Sequence, residues 1–80
     1  MKEKINDLLS WITSADGQTT SMETPDIVDS YNDILRTLKN TYPNNTKITA
    51  KEEQKYDPFE SDIDLTDHIK KDCEDLLKEL

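Results

Sequence analysis

The sequence predicts an all-α protein: a small three-helix bundle with a short additional helical turn in the 44–60 connection. Three observations carry that prediction. Two long segments repeat apolar residues at i, i+4, i+8, i+11 and i+15: Ile27, Tyr31, Leu35, Leu38 and Tyr42 in one, Leu65, Ile69, Cys73, Leu76 and Leu80 in the other. That spacing lays an apolar stripe along one face of a helix. A shorter segment near the start, with Ile5, Leu8, Leu9 and Ile12, follows the same rule. The stretches between them hold Ser, Thr, Asn, Pro and the single Gly, the residues that interrupt helices. Eighty residues make one helical domain, 1–80, close to the lower size at which a chain folds alone.

The first helix is expected over Lys2 to about Thr13, with Asn6, Asp7 and Ser10 turned away from its stripe. Ser14-Ala15-Asp16-Gly17 stops it, because Gly readily takes the left-handed conformation that ends a helix. Residues 18–23 read as a loop. The second helix has the clearest start: the Thr24 hydroxyl for a cap, Pro25 in the first turn and Asp26 against the positive end of the dipole. Val28 and Ile34 widen its stripe, Arg36 and Lys39 suit its C-terminal end, and Pro43-Asn44-Asn45 ends it.

The connection is less patterned. Thr49-Ala50-Lys51-Glu52 has the spacing of a capping box, which predicts a short exposed helical turn. A brief strand at Lys47-Ile48-Thr49 is the alternative. Tyr56-Asp57-Pro58-Phe59 reads as a turn whose two aromatics pin the loop to the bundle. The last helix starts between Ser61 and Asp67 and runs to Leu80, with Leu77 beside its stripe. Lys70, Lys71, Asp72, Glu74 and Asp75 are expected to face water.

The apolar fraction is 32 % and the charged fraction 35 %, against about 45–50 % and about 25 % in ordinary globular chains. Such a chain assembles one thin core, drawn mainly from seven Ile and eight Leu. Eighteen acids outnumber ten Lys and Arg, for a formal charge of −8. That balance argues against direct nucleic-acid binding, which relies on Lys and Arg neutralising phosphates, and against docking on an anionic membrane. No apolar run approaches the length of a membrane span. The first residues lack the apolar core of a secretory signal. With Cys73 as the one cysteine, no intramolecular disulfide forms. A cytoplasmic location is the expectation.

No enzyme machinery is legible. His68 and Cys73 are five residues apart, which places them about 140° apart around a helix, and Cys73 belongs to the apolar stripe as a small hydrophobe. No catalytic residues, metal ligands or cofactor are assigned. A calcium loop starting at Asp62 would need Gly at its sixth position and Glu at its twelfth; Asp67 and Cys73 stand there. Small acidic helical chains resemble acyl carrier proteins, which attach their prosthetic group at the Ser of an Asp-Ser-Leu motif opening a helix. The only Asp-Ser here is Asp29-Ser30, followed by Tyr31 within a helix, so the resemblance fails at that residue.

What remains is the arrangement of the acids. Asp26, Asp29 and Asp33 recur at i, i+3 and i+7, on a face nearly opposite the apolar stripe. A second acidic run, Asp57, Glu60, Asp62, Asp64 and Asp67, precedes and opens the last helix without a single base. These eight residues form the expected partner-binding set. The partner they fit is a basic, nucleic-acid-binding protein, steered by charge and inhibited stoichiometrically by carboxylates standing where phosphates would. Anti-defence proteins, antitoxins and nuclease immunity proteins resemble this chain in size and charge. The alternatives are a structural or regulatory subunit, or a homodimer, associating through the Ile69–Leu80 stripe, and a small helix-turn-helix regulator.

Overall fold

A computed structural model describes residues 1–15, 24–59 and 62–80, with side chains described outside 14–15 and 62–63. Among the described residues four helices follow one another: α1 (Lys2–Ala15), α2 (Thr24–Thr41), α3 (Thr46–Thr49) and α4 (Asp62–Glu79). α1, α2 and α4 pack pairwise as a triangle, and the single turn α3 closes one end by touching both α2 and α4. The expected bundle with one extra turn is the observed architecture. The expected stop at Ser14–Gly17 and the loop 18–23 lie outside the described residues, apart from Ser14 and Ala15, which belong to α1.

The three stripes meet in one core. α1 gives Ile5, Leu8 and Ile12; α2 gives Ile27, Val28, Tyr31, Ile34, Leu35 and Leu38; α4 gives Ile69, Cys73 and Leu76. Leu9, Trp11, Tyr56, Leu65, Leu77 and Leu80 pack half-buried around it. Tyr42, placed at the end of the α2 stripe by its spacing, falls past the end of the helix and is exposed.

The connection departs from expectation in two ways. Its helical turn lies earlier, at Thr46–Thr49, capped by Asn45, whose side-chain oxygen accepts from the N–H groups of Lys47 at 3.0 Å and Ile48 at 3.2 Å. Asn45 satisfies the first free donors of the turn, and the turn carries Ile48 into the core as a fully buried side chain. Thr49 therefore ends a helical turn instead of opening one. From Lys51 to Asp57 the backbone has no regular structure and is held by distant side chains. The Asn32 amide donates to the Gln54 carbonyl at 2.8 Å and accepts from the Gln54 N–H at 2.8 Å, serving both peptide groups as a strand would.

The second departure concerns the aromatics. Tyr56 packs on the core, but Phe59 is 95 % exposed. The turn it occupies is held instead by Asp57, whose carboxylate accepts from the Phe59 N–H at 2.9 Å. The turn needs no apolar anchor, so the ring is left outside.

Asp72 also departs from expectation. It does not face water but is one of the buried polar residues. The Tyr31 hydroxyl donates to its Oδ2 at 2.9 Å, Lys51 Nζ donates to its Oδ1 at 3.3 Å, and His68 Nε2 lies 3.2 Å from Oδ2. Lys51 also reaches Asp75 at 3.1 Å. One carboxylate thus ties α2, the connection and α4 together. Position 72 sits three residues after Ile69 and four before Leu76, at the edge of the buried face.

Candidate functional site

The outer face of α2 places the first acidic group. Ile27, Val28, Tyr31, Ile34, Leu35 and Leu38 fix the rotation of the helix by their burial. With that face inward, Asp26, Asp29 and Asp33 are all exposed, at rotations of about 140–200° from the buried Thr24, whose side lies toward the core. The acids stand along about 10 Å of helix axis. Rotation about the helix is not free, so their directions are set by the core.

The three are not equivalent. Asp33 lies 3.5 Å from the Arg36 guanidinium, which reaches Glu53 more closely at 2.6 Å. The Glu53 hydrogen bond and charge, with lesser help from Asp33 and Asp29, hold Arg36 above its ordinary value. Among the described residues, Asp26 and Asp29 take part in no ion pair.

Of the second acidic group, the structure describes the side chains of Asp57, Asp64 and Asp67. Asp57 is half-buried and occupied with the Phe59 N–H. Glu60 and the side chain of Asp62 lie outside the described residues. Asp64 and Asp67 are exposed on α4, but Lys71 and Lys78 share that outer face with Asp67 and Glu74 at i, i+4, i+7 and i+11. The last helix therefore presents mixed charge, whereas the first two turns of α2 present one sign.

Sequence reasoning passed over a groove of about 330 Å³ between α1 and α2. Leu8, Trp11 and Ile34 give it an apolar wall, while Lys4, Asp7 and Asp33 bring charge to it. Asp7 stands off the α1 stripe, as its spacing predicts, and that is why it sits at this opening. Only the crossing of α1 and α2 shows that it faces Asp33 across a shared depression. Among the described residues no cluster of His, Cys, Asp and Glu is arranged to hold a metal, and no helix is long and apolar enough to cross a membrane. Cys73 is fully buried, and burial, with the charges of Asp72 and Glu74, pushes its thiol up to about 12. At neutral pH such a thiol is not a nucleophile. Neither a protein-family model, nor a curated protein, nor a solved structure matches the chain.

Proposed function

We propose that this chain is an acidic protein-binding protein that docks on a basic, nucleic-acid-handling partner and blocks it stoichiometrically. The observation that supports this reading is the outward row on α2, with Asp26, Asp29 and Asp33 exposed and their helix locked by six buried apolar side chains. A row of about 10 Å covers roughly three steps of a duplex strand, so it imitates a short phosphate segment and not a whole binding site. Rim charges of this kind govern the rate of encounter and the choice of partner more than final affinity. The acids of α4 contribute less, because lysines are interleaved with them.

The test is capture from lysate of the native host, at low and high salt, with the parent chain and an Asp26→Lys/Asp29→Lys variant. Asp33 is left intact because it is engaged with Arg36. The expected result is a basic partner retained by the parent at low salt, released by high salt, and captured on the order of tenfold more slowly by the variant. A partner held equally by the variant and at high salt would overturn the charge-led reading.

Association through the Ile69–Leu80 stripe finds less support. Ile69, Cys73 and Leu76 are fully buried within the chain's own bundle, which leaves only the half-buried Leu77 and Leu80 at its end. A helix-turn-helix reading would need α2 or α4 to present cations, and α2 presents carboxylates outward.

A further inference from the structure

We infer that the groove between α1 and α2 is the seat for an arginine side chain of the basic partner; the inference rests on the proposed charge-led docking and names where its anchor enters. The groove, about 330 Å³, is at the small end of ligand pockets. It suits one or two side chains better than a drug-sized molecule. Its wall and its rim differ in character. Leu8 and Ile34 are buried core residues reaching the floor, and Trp11 stands half-buried beside them. Asp7 from α1 and Asp33 from α2 are exposed at its sides.

An occupant must therefore be apolar along its length and cationic at its tip. Arginine and lysine both have such stems. Guanidinium is the better match, because it is planar, less strongly hydrated, and presents several donors to carboxylates on different sides. The chain's own Arg36 does not line the groove but lies 3.5 Å from Asp33 while holding Glu53 more closely at 2.6 Å, so an entering guanidinium shares Asp33 with it. Two features oppose it: Lys4, a cation on the same groove, and Met1, which carries the amino group of the chain and lines the groove as well. Asp29, one turn before Asp33 and without an ion pair among the described residues, extends the negative field toward the α2 N-terminus.

Trp11 is the only tryptophan and lines the groove, so its indole N–H gives one unambiguous signal from that place in a nitrogen-15 correlation spectrum. The full chain is titrated with acetyl-Arg-Arg-amide, acetyl-Lys-Lys-amide and the neutral acetyl-citrulline-citrulline-amide, following Trp11, the methyls of Leu8 and Ile34, and the amides of Asp26 and Asp29. The arginine peptide is expected to move Trp11 and the two methyls saturably at millimolar concentration, with the citrulline peptide inert. Asp7→Asn/Asp33→Asn should weaken that binding on the order of tenfold, and Lys4→Ala should strengthen it. All three substitutions lie at exposed positions, and an unchanged spectrum elsewhere confirms the fold of each variant.

Shifts confined to the Asp26 and Asp29 amides, with Trp11 still, would overturn the groove while leaving the acidic face as a docking surface. Equal response to lysine would overturn the arginine assignment, and equal response to citrulline would overturn any role for the two carboxylates. No response anywhere would remove both the groove and the cation preference on which the proposed function depends.

Discussion

Replacing Tyr31 with Phe is expected to cost about 1.5–2 kcal/mol of stability, the lower part of the range for a hydrogen bond to a charged acceptor. The hydroxyl is buried and donates to Asp72 Oδ2 at 2.9 Å, and the Asp72 side chain is itself only 12 % exposed. The substitution leaves the ring packing intact. It also leaves Asp72 its hydrogen bond from Lys51 at 3.3 Å, so the carboxylate is not stranded and the upper part of the range does not apply. In a domain of this size, whose whole stability is about 4–12 kcal/mol, the midpoint of thermal unfolding should fall on the order of 10 °C. Asp72→Ala should be worse, at about 3 kcal/mol, because it strands a buried phenol donor and breaks the bond as well. The double variant, Tyr31→Phe with Asp72→Ala, should then be more stable than the sum of the two predicts by about 1.5 kcal/mol, since a phenyl ring has no donor left to strand. Urea unfolding of the four proteins, followed by circular dichroism, gives each midpoint and slope. A Tyr31→Phe variant within about 0.5 kcal/mol of the parent, with additive effects in the double variant, would refute the reasoning.

Three further outcomes follow from the same structure. The Cys73 thiol, pushed up to about 12, should react with a disulfide reagent at neutral pH only as fast as the chain opens, and at the free-thiol rate in urea; fast labelling of the folded chain would contradict its burial. Asn45→Ala removes the α3 cap and should cost about 1 kcal/mol, read as a lower urea midpoint. Lys51→Met bears on pH dependence. Burial works against the Lys51 ammonium, but its hydrogen bonds to Asp75 and Asp72 outweigh it and raise the group, while the hydrogen bond and charge of Lys51 hold Asp75 low. The stability gap between parent and variant should therefore be widest between the ordinary values of 3.8 and 10.5. It should shrink as pH falls through the lowered Asp75 value and as pH rises through the raised Lys51 value. A gap unchanged from pH 2 to pH 7, on the order of five pH units, would refute the Asp75 pairing.

The helices were legible because each carries its own instruction. The α2 signal Thr24-Pro25-Asp26 and the stripes of α2 and α4 are local patterns, and burial in the fold follows the stripes except at their ends, where Tyr42 is exposed and Leu65 and Leu80 are half-buried. The connection was not legible because its instructions are remote. Asn32 and Gln54 are twenty-two residues apart, and Lys51 and Asp72 twenty-one; no periodicity announces either pair. Asp72 is within reach of spacing alone, three after Ile69 and four before Leu76, but its charge argues for exposure until its partners from α2 and the connection are seen. For the surface, the exposure of the α2 acids was legible from angle, whereas the groove depends on how two helices cross. Phe59 misled in the opposite direction, since an aromatic near a thin core suggests a plug, and the Asp57 carboxylate already holds that turn.

The α2 row also separates what the fold requires from what it does not. Asp26 lies in the first turn of the helix, where a carboxylate gains about 0.3–1 kcal/mol from the dipole. Asp33 is linked to Arg36 and through it to Glu53. Asp29 is past the first turn, exposed, and in no ion pair among the described residues; its charge is the last and least of those acting on Arg36. Asp26→Asn should therefore lower stability by a few tenths of a kcal/mol, whereas Asp29→Asn should leave the urea midpoint unchanged or slightly raise it by relieving repulsion in a chain of net charge −8. If Asp29→Asn instead destabilises the chain as Asp26→Asn does, the carboxylate is serving the helix, and its outward position gives no reason to expect a cationic partner there. If it is silent for folding but slows capture of a basic protein, the charge at position 29 is accounted for by binding.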